Sequence, residues 1–167
     1  MRAFFHISHM TSAASRLLSL WRRTNGIPGG SAVFAWLLRR SVPYSGSVRP
    51  RVLALEPGFA RVAMHDRPAV RNHLHSVHAI ALANVAELTS GLAMTTALPD
   101  TIRGIVVRLR VDYLKKARGT LIAESRCTIP NVTAEAEHDF VADVRDGAGD
   151  VVARATVTWR LGPAPAK

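Results

Sequence analysis

The sequence predicts an α+β fold in which an antiparallel sheet wraps a long central helix, behind a helical N-terminal extension. Three observations predict it. Val77 to Leu98 is rich in Ala and Leu and free of proline, with Ala81, Val85, Leu88 and Leu92 at helical spacing. Four later segments alternate apolar and polar residues with a period of two. Ahead of the helix, two β-prone runs meet at Glu56-Pro57-Gly58. The 167 residues suffice for one domain with a real core and are too few for two.

Met1 to Thr24 mixes Arg, Ser and hydrophobic residues and has no acid, as organelle transit peptides do. An extension upstream of a second start at Met10 has the same look. A continuous apolar core and a small-residue cleavage site are missing, so a secretory signal is not expected. Asn25 to Ser31 is a breaker cluster and reads as a linker. The expected division is a basic extension over 1–30, disordered or targeting and dispensable for folding, and a domain over 31–167. Ser31 is expected to cap a short helix, Ala32 to Arg40, that Pro43 ends.

Val48 to Leu55 and Phe59 to His65 read as a β-hairpin, because Pro57 presets the turn and Gly58 accepts positive φ. Asp66 to Leu74 holds Pro68 and reads as a loop. Val77 to Leu98 is small or apolar nearly all round, which places it in a core or a membrane. His78, Asn84, Glu87, Thr89, Ser90, Thr95 and Thr96 within it, and strands on both sides, favour a buried helix over a transmembrane segment. In the strands that follow, the expected inner faces are Val107, Leu109, Val111 and Tyr113; then Leu121, Ala123, Ser125, Cys127 and Ile129; then Ala136, His138, Phe140, Ala142 and Val144; then Ala153, Ala155, Val157, Trp159 and Leu161. The turns are Lys115 to Gly119 and Asp146 to Asp150.

Cys127 is the one cysteine, so neither an internal disulfide nor a cysteine-rich zinc site can form. The net charge of +10 is unevenly spread: residues 1–55 carry eight arginines and no acid, and the rest of the chain is close to neutral. That is a poor footprint for nucleic acid on the main domain, and no nucleic-acid partner is expected. An anionic-membrane or nucleic-acid surface in the first 40 residues is left as an accessory activity. The expected location is the cytoplasm, with organelle targeting by residues 1–24 as the alternative.

Glu87 is the lone acid between Arg71 and Asp100 and lies mid-helix among apolar residues, which makes it a functional candidate. Its structural alternative is a carboxylate bonded to a neighbouring loop or a second subunit. His73, His75 and His78 precede the helix; their spacing matches no zinc motif, and no metal is expected. The alternative for them is two loop residues and a first-turn helix residue. The helix start offers free N–H groups that can polarise a carbonyl.

Asn72, His78, Ala79 and Glu87 resemble the signature of hotdog-fold acyl-CoA thioesterases of the phenylacetyl-CoA type. Ala-Glu-Leu-Thr-Ser-Gly-Leu-Ala around Glu87, and the run from Tyr113 to Gly119, resemble an uncharacterised domain-of-unknown-function branch of that superfamily. The resemblance spans about residues 45–162. It departs at His75 and Ile80, where the pattern has glycines, and near Val106, where some relatives have Ser or Thr. It implies hydrolysis of acyl-CoA by a homodimer, or a dimer of dimers, with CoA as part of the substrate and no other cofactor. Glu87 of one subunit would be base or nucleophile, Asn72 would position water or substrate, and His78 would orient a thioester held at the Ala79 N–H. Ser90 joins Ala79 in the implied substrate-binding set, and Lys115, Lys116 and Arg118 would meet the CoA phosphates or else form a solvated turn. The alternative function is a non-catalytic acyl-binding or dimerisation module.

Overall fold

The structure, a computed structural model, describes residues 12–165. The first part of the transit-like segment, including Met10, lies outside the described residues. Helices α1 (Ala13–Asn25), α2 (Gly30–Ser41) and the single turn α3 (Pro43–Gly46) precede strands β1 (Arg51–Glu56) and β2 (Phe59–His65). A 3-10 turn at Pro68–Val70 leads into α4 (Ala79–Ala97). Then come β3 (Ile102–Tyr113), β4 (Thr120–Arg126), β5 (Ala136–Arg145) and β6 (Val151–Pro163).

The six strands form one antiparallel sheet in the order β1-β2-β4-β5-β6-β3. One face of it packs on α4, which touches all six strands. Thirteen of the nineteen residues of α4 are buried. Those left partly or fully accessible include Ile80, Glu87, Gly91 and Thr95, which recur at helical spacing and make one narrow stripe. Opposite α4, the period-two pattern works as expected in β4, β5 and β6: Leu121, Ala123, Phe140, Ala142, Val144, Ala153, Ala155, Val157 and Leu161 are buried.

The β1–β2 turn depends on glycine. Gly58 has φ 75°, and any side chain there would strike the Cys127 carbonyl oxygen. The Thr96 hydroxyl fixes this turn to the end of α4: it accepts the Gly58 N–H at 3.2 Å and donates to the Glu56 carbonyl at 2.9 Å.

Several elements differ from the expectation. β4 ends at Arg126, so Cys127 and Ile129 lie beyond it, and Ala136 is exposed at the start of β5. β3 is an edge strand with a bulge between Val106 and Arg108, which shifts its alternation by one residue. Val107 therefore leaves the inner face, and Ile105 is 65% exposed. Past the bulge Leu109, Val111 and Tyr113 pair with the inward Val157, Ala155 and Ala153 as expected, and Leu109 stays accessible because the strand is at the edge. α2 begins earlier than expected, behind Gly29 at φ 77°, so Ser31 is inside the helix and not its cap. The Ser31 hydroxyl accepts instead from Arg51.

α1 is an element the sequence pattern does not announce. Its N-cap is Ser12, whose hydroxyl accepts the Ser15 N–H at 2.8 Å. Trp21 is buried and meets Phe34 of α2 edge-on, with ring centroids 5.1 Å apart. Such a pair contributes about 0.5–1.5 kcal/mol beyond its buried area. Gly30 passes so close to the Thr24 carbonyl that no side chain would fit. The breaker cluster is thus a tight turn between two packed helices, and residue 30 is the first residue of α2.

Candidate functional site

The start of α4 is built by the segment before it. Asn72 curls this segment: its Oδ1 accepts from the Leu74 N–H (3.0 Å), the Ser76 N–H (3.2 Å) and the Ser76 hydroxyl (3.1 Å). That side-chain oxygen is fully used, and the amide NH2 is what remains for another group. His75 has φ 52°, the left-handed backbone that glycine adopts most readily, so the loop keeps its shape where the family pattern has glycine. Arg71 and Val77 bridge its two ends.

His78 is the N-cap of α4 and not a first-turn residue: its φ is −65° and its ψ 140°. Its Nδ1 accepts the Ile80 N–H at 3.1 Å, which puts the proton of the neutral ring on Nε2. The Ala79 N–H has no acceptor among the described residues. One donor at the positive end of a nineteen-residue helix is therefore open to an incoming oxygen.

The turn after β3 closes over this point. Ala117 is buried, and its carbonyl accepts the Val77 N–H at 2.9 Å. Arg118 Nε donates to the His75 carbonyl at 3.3 Å. The Tyr113 hydroxyl donates to the Ala79 carbonyl at 3.1 Å. Between the two segments is a cavity of about 370 Å³ that Asn72, Ala79, Leu82, Tyr113, Lys115 and Lys116 help to line. Burial pushes the Tyr113 hydroxyl pKa up, which keeps it a donor.

The three basic residues of the turn differ. Lys115 is held by Asp146 (2.7 Å) and Asp150 (2.6 Å), and these carboxylates raise its pKa. Arg118 uses its Nε on the loop. Lys116 is exposed and has no partner among the described residues.

Glu87 is not in this cavity. It lies eight residues beyond Ala79, or about 12 Å along the helix axis. Half-buried on the open stripe of α4, its carboxylate has no hydrogen bond or ion pair among the described residues. Burial alone raises its pKa. Ser90 is fully buried and its hydroxyl donates to the Glu87 carbonyl at 2.9 Å, so it does not reach the cavity. The structure thus brings together Asn72, Ala79, Lys115 and Lys116, with His78 and Arg118 at their border, and leaves Glu87 and Ser90 apart. Tyr113 is the site residue that the pattern alone misses. Its signal is a tyrosine ending a strand just before a basic turn.

The model of the family described as a domain of unknown function, DUF4442, matches residues 30–161. The chain belongs to this family. Among curated proteins, none matches it in sequence. Solved structures resemble the DUF4442 chain closely. The structural-genomics target APC5556 is 28% identical, with a TM-score of 0.78 over 89% of this chain and 99% of its own. PA5026 from Pseudomonas aeruginosa, a protein of unknown function described as a probable thioesterase, is 24% identical, with a TM-score of 0.72 over 83% and 97%. Thioesterase HI1161 from Haemophilus influenzae is 12% identical, with a TM-score of 0.65 over 76% and 87%. The fold of this DUF4442 chain is accordingly that of the hotdog thioesterases.

Proposed function

We propose that the chain is a thioester hydrolase that acts on acyl-CoA as a homodimer. The observation that carries this reading is Glu87: an unpaired, half-buried carboxylate on the one accessible stripe of an otherwise buried helix. It is too far along the helix to serve an oxygen held at its own subunit's Ala79 N–H. A second subunit can supply it. The free edge of β3 and the exposed Ile105, Val107 and Leu109 favour pairing with a copy.

In this mechanism the thioester oxygen accepts from the Ala79 N–H, and the His78 Nε2–H and the Asn72 NH2 orient the acyl group. Glu87 of the partner subunit takes a proton from water, whose oxygen attacks the carbonyl carbon. The tetrahedral intermediate is held at the helix start and collapses with cleavage of the C–S bond. The proton passes to the departing sulfur, and the products are a carboxylic acid and free CoA. Attack by the carboxylate itself, through an anhydride, leads to the same products. Lys116 and Arg118 face the CoA phosphates; Lys115 contributes less, being neutralised by two aspartates. No cofactor is needed beyond the CoA of the substrate.

A cytoplasmic location accords with this substrate. No helix among the described residues is long and apolar enough to cross a membrane. One observation favours the second reading, a non-catalytic acyl-binding or dimerisation module. Val106, at the place where some relatives have a hydroxyl, packs against the core. Incubation with a panel of acyl-CoA thioesters and a free-thiol readout separates the two. Hydrolysis in a sedimenting dimer supports the enzyme; binding without thiol release supports the module.

A further inference from the structure

Arginine occurs in two populations. From β2 onward, Arg61, Arg71, Arg103, Arg108, Arg110, Arg145, Arg154 and Arg160 are ion-paired, Arg126 lies over the Phe59 ring, and Arg67 and Arg118 donate to backbone carbonyls. Arg16, Arg22, Arg23, Arg39 and Arg40 of the N-terminal helices, and Arg49 and Arg51 after them, pair with no acid among the described residues, and residues 1–55 contain none. The same N-terminal helices expose large apolar side chains: Ile27 (58%) in the α1–α2 turn, and Val33 (48%) and Trp36 (50%) on α2. Val33, Trp36 and Arg40 follow at helical spacing on one face of α2, with the Arg40 guanidinium over the Trp36 ring at 5.4 Å from its centroid. Arg22 and Arg23 end α1 beside Ile27, and Arg39 and Arg40 end α2. Along the chain the exposed apolar side chains therefore fall between two arginine pairs.

We propose that this α1–α2 face docks on an anionic lipid bilayer. The inference goes beyond the hydrolase reading and does not rest on it. The unpaired arginines match a surface of phosphate groups, and each strengthens partitioning onto it about fivefold. The aliphatic and indole side chains choose lipid over nucleic acid: they enter the boundary between headgroups and acyl chains, and nucleic acid offers Ile27 and Val33 no such medium. Trp36 is suited to that boundary, with an apolar ring and one N–H donor.

The test uses the full chain and vesicles of phosphatidylcholine, with or without phosphatidylglycerol. Cosedimentation is expected with the anionic vesicles alone, at about 0.1 M salt, and is expected to be lost near 1 M. Replacing both Arg39 and Arg40 with Ala should weaken it about thirtyfold. Tryptophan emission should shift to the blue on anionic vesicles. Trp36→Phe should abolish this shift and retain most binding, since Trp21 is already buried and Trp159 lies in the sheet. The proposal is overturned by equal binding to neutral vesicles, by no binding, or by a blue shift that survives Trp36→Phe. It is likewise overturned if duplex DNA binds as tightly as the vesicles, or if Trp36→Ala dissociates an oligomer, which would make the face an interface between copies. The Arg22→Ala, Arg23→Ala pair is a second charge variant should the first melt early.

Discussion

The Tyr113 hydroxyl, at the end of β3, donates to the carbonyl of Ala79, the first residue of α4, at 3.1 Å. This bond ties the sheet's edge strand to the helix start where the cavity opens. Tyr113→Phe removes it and leaves the ring. The expected loss of stability is about 1 kcal/mol, read from denaturant midpoints. Thioester turnover should fall by less than about tenfold, because the Ala79 N–H remains in place. Since burial raises the Tyr113 pKa, the bond should show no titration through the neutral range.

Glu87→Gln should lower thioester hydrolysis by about 10²–10⁴-fold, the usual contribution of a general base, with the dimer intact. The pH dependence has a definite sign. Burial raises the Glu87 pKa in the folded protein, so the folded state holds that proton more tightly than the unfolded chain. Its contribution favours folding at acid pH and is lost as pH rises through the ordinary carboxylate range to the raised value. At neutral pH the Gln variant should be as stable as the parent or more so. Its stability should rise less on acidification. For activity, kcat/KM of the parent should decline as pH falls through the raised value. Melting curves and turnover on one preparation check all of this. A stable dimer with unchanged turnover would falsify the assignment of Glu87.

His75→Gly tests the left-handed position in the loop. Relief of the positive φ is worth about 1–2 kcal/mol, offset by about 0.4–1 kcal/mol from the more flexible unfolded chain. The variant should melt at or slightly above the parent's temperature. His75→Val puts a β-branched residue at φ 52° and should destabilise by more than about 1 kcal/mol. If valine were tolerated as well as glycine, the loop would not need its present backbone.

A chain beginning at Ser31 would lose α1 and uncover Phe34, which is 1% exposed in the intact fold. Trp21→Ala alone should cost about 3–5 kcal/mol, as large-to-small changes of buried aromatic residues do. Both should melt well below the full chain in calorimetry. Equal melting of the shortened chain would show that α1 adds nothing to the core.

The parts legible from the sequence are those with a local period. The helix around Val85, Leu88 and Leu92 and the alternation through Phe140, Ala142 and Val144 follow directly from side-chain direction. Strand β3 was harder because the bulge at Val107 resets the alternation, and because an edge strand lacks the second neighbour that would bury it. Helix α1 escapes a local reading for another reason: Trp21 packs on Phe34 across the turn to α2, and α1 as a whole also rests on α4, far off in sequence. In the site, Asn72 and Ala79 are separated by a short loop and legible together. Tyr113 and Ala117 join them only through the antiparallel sheet, which no spacing rule reports.

The hold of Asp146 and Asp150 on Lys115 has a consequence for reactivity. An ammonium ion has no lone pair and cannot attack a carbonyl, and both carboxylates keep Lys115 in that form. Guanidinium is likewise inert, and 19 of the 22 basic residues are Arg. An activated ester arriving at the cavity rim therefore meets a single uncommitted amine among the described residues, that of Lys116. Mass spectrometry after exposure to an amine-directed acylating reagent should find the adduct there well before Lys115, and the mark would lie beside the cavity mouth.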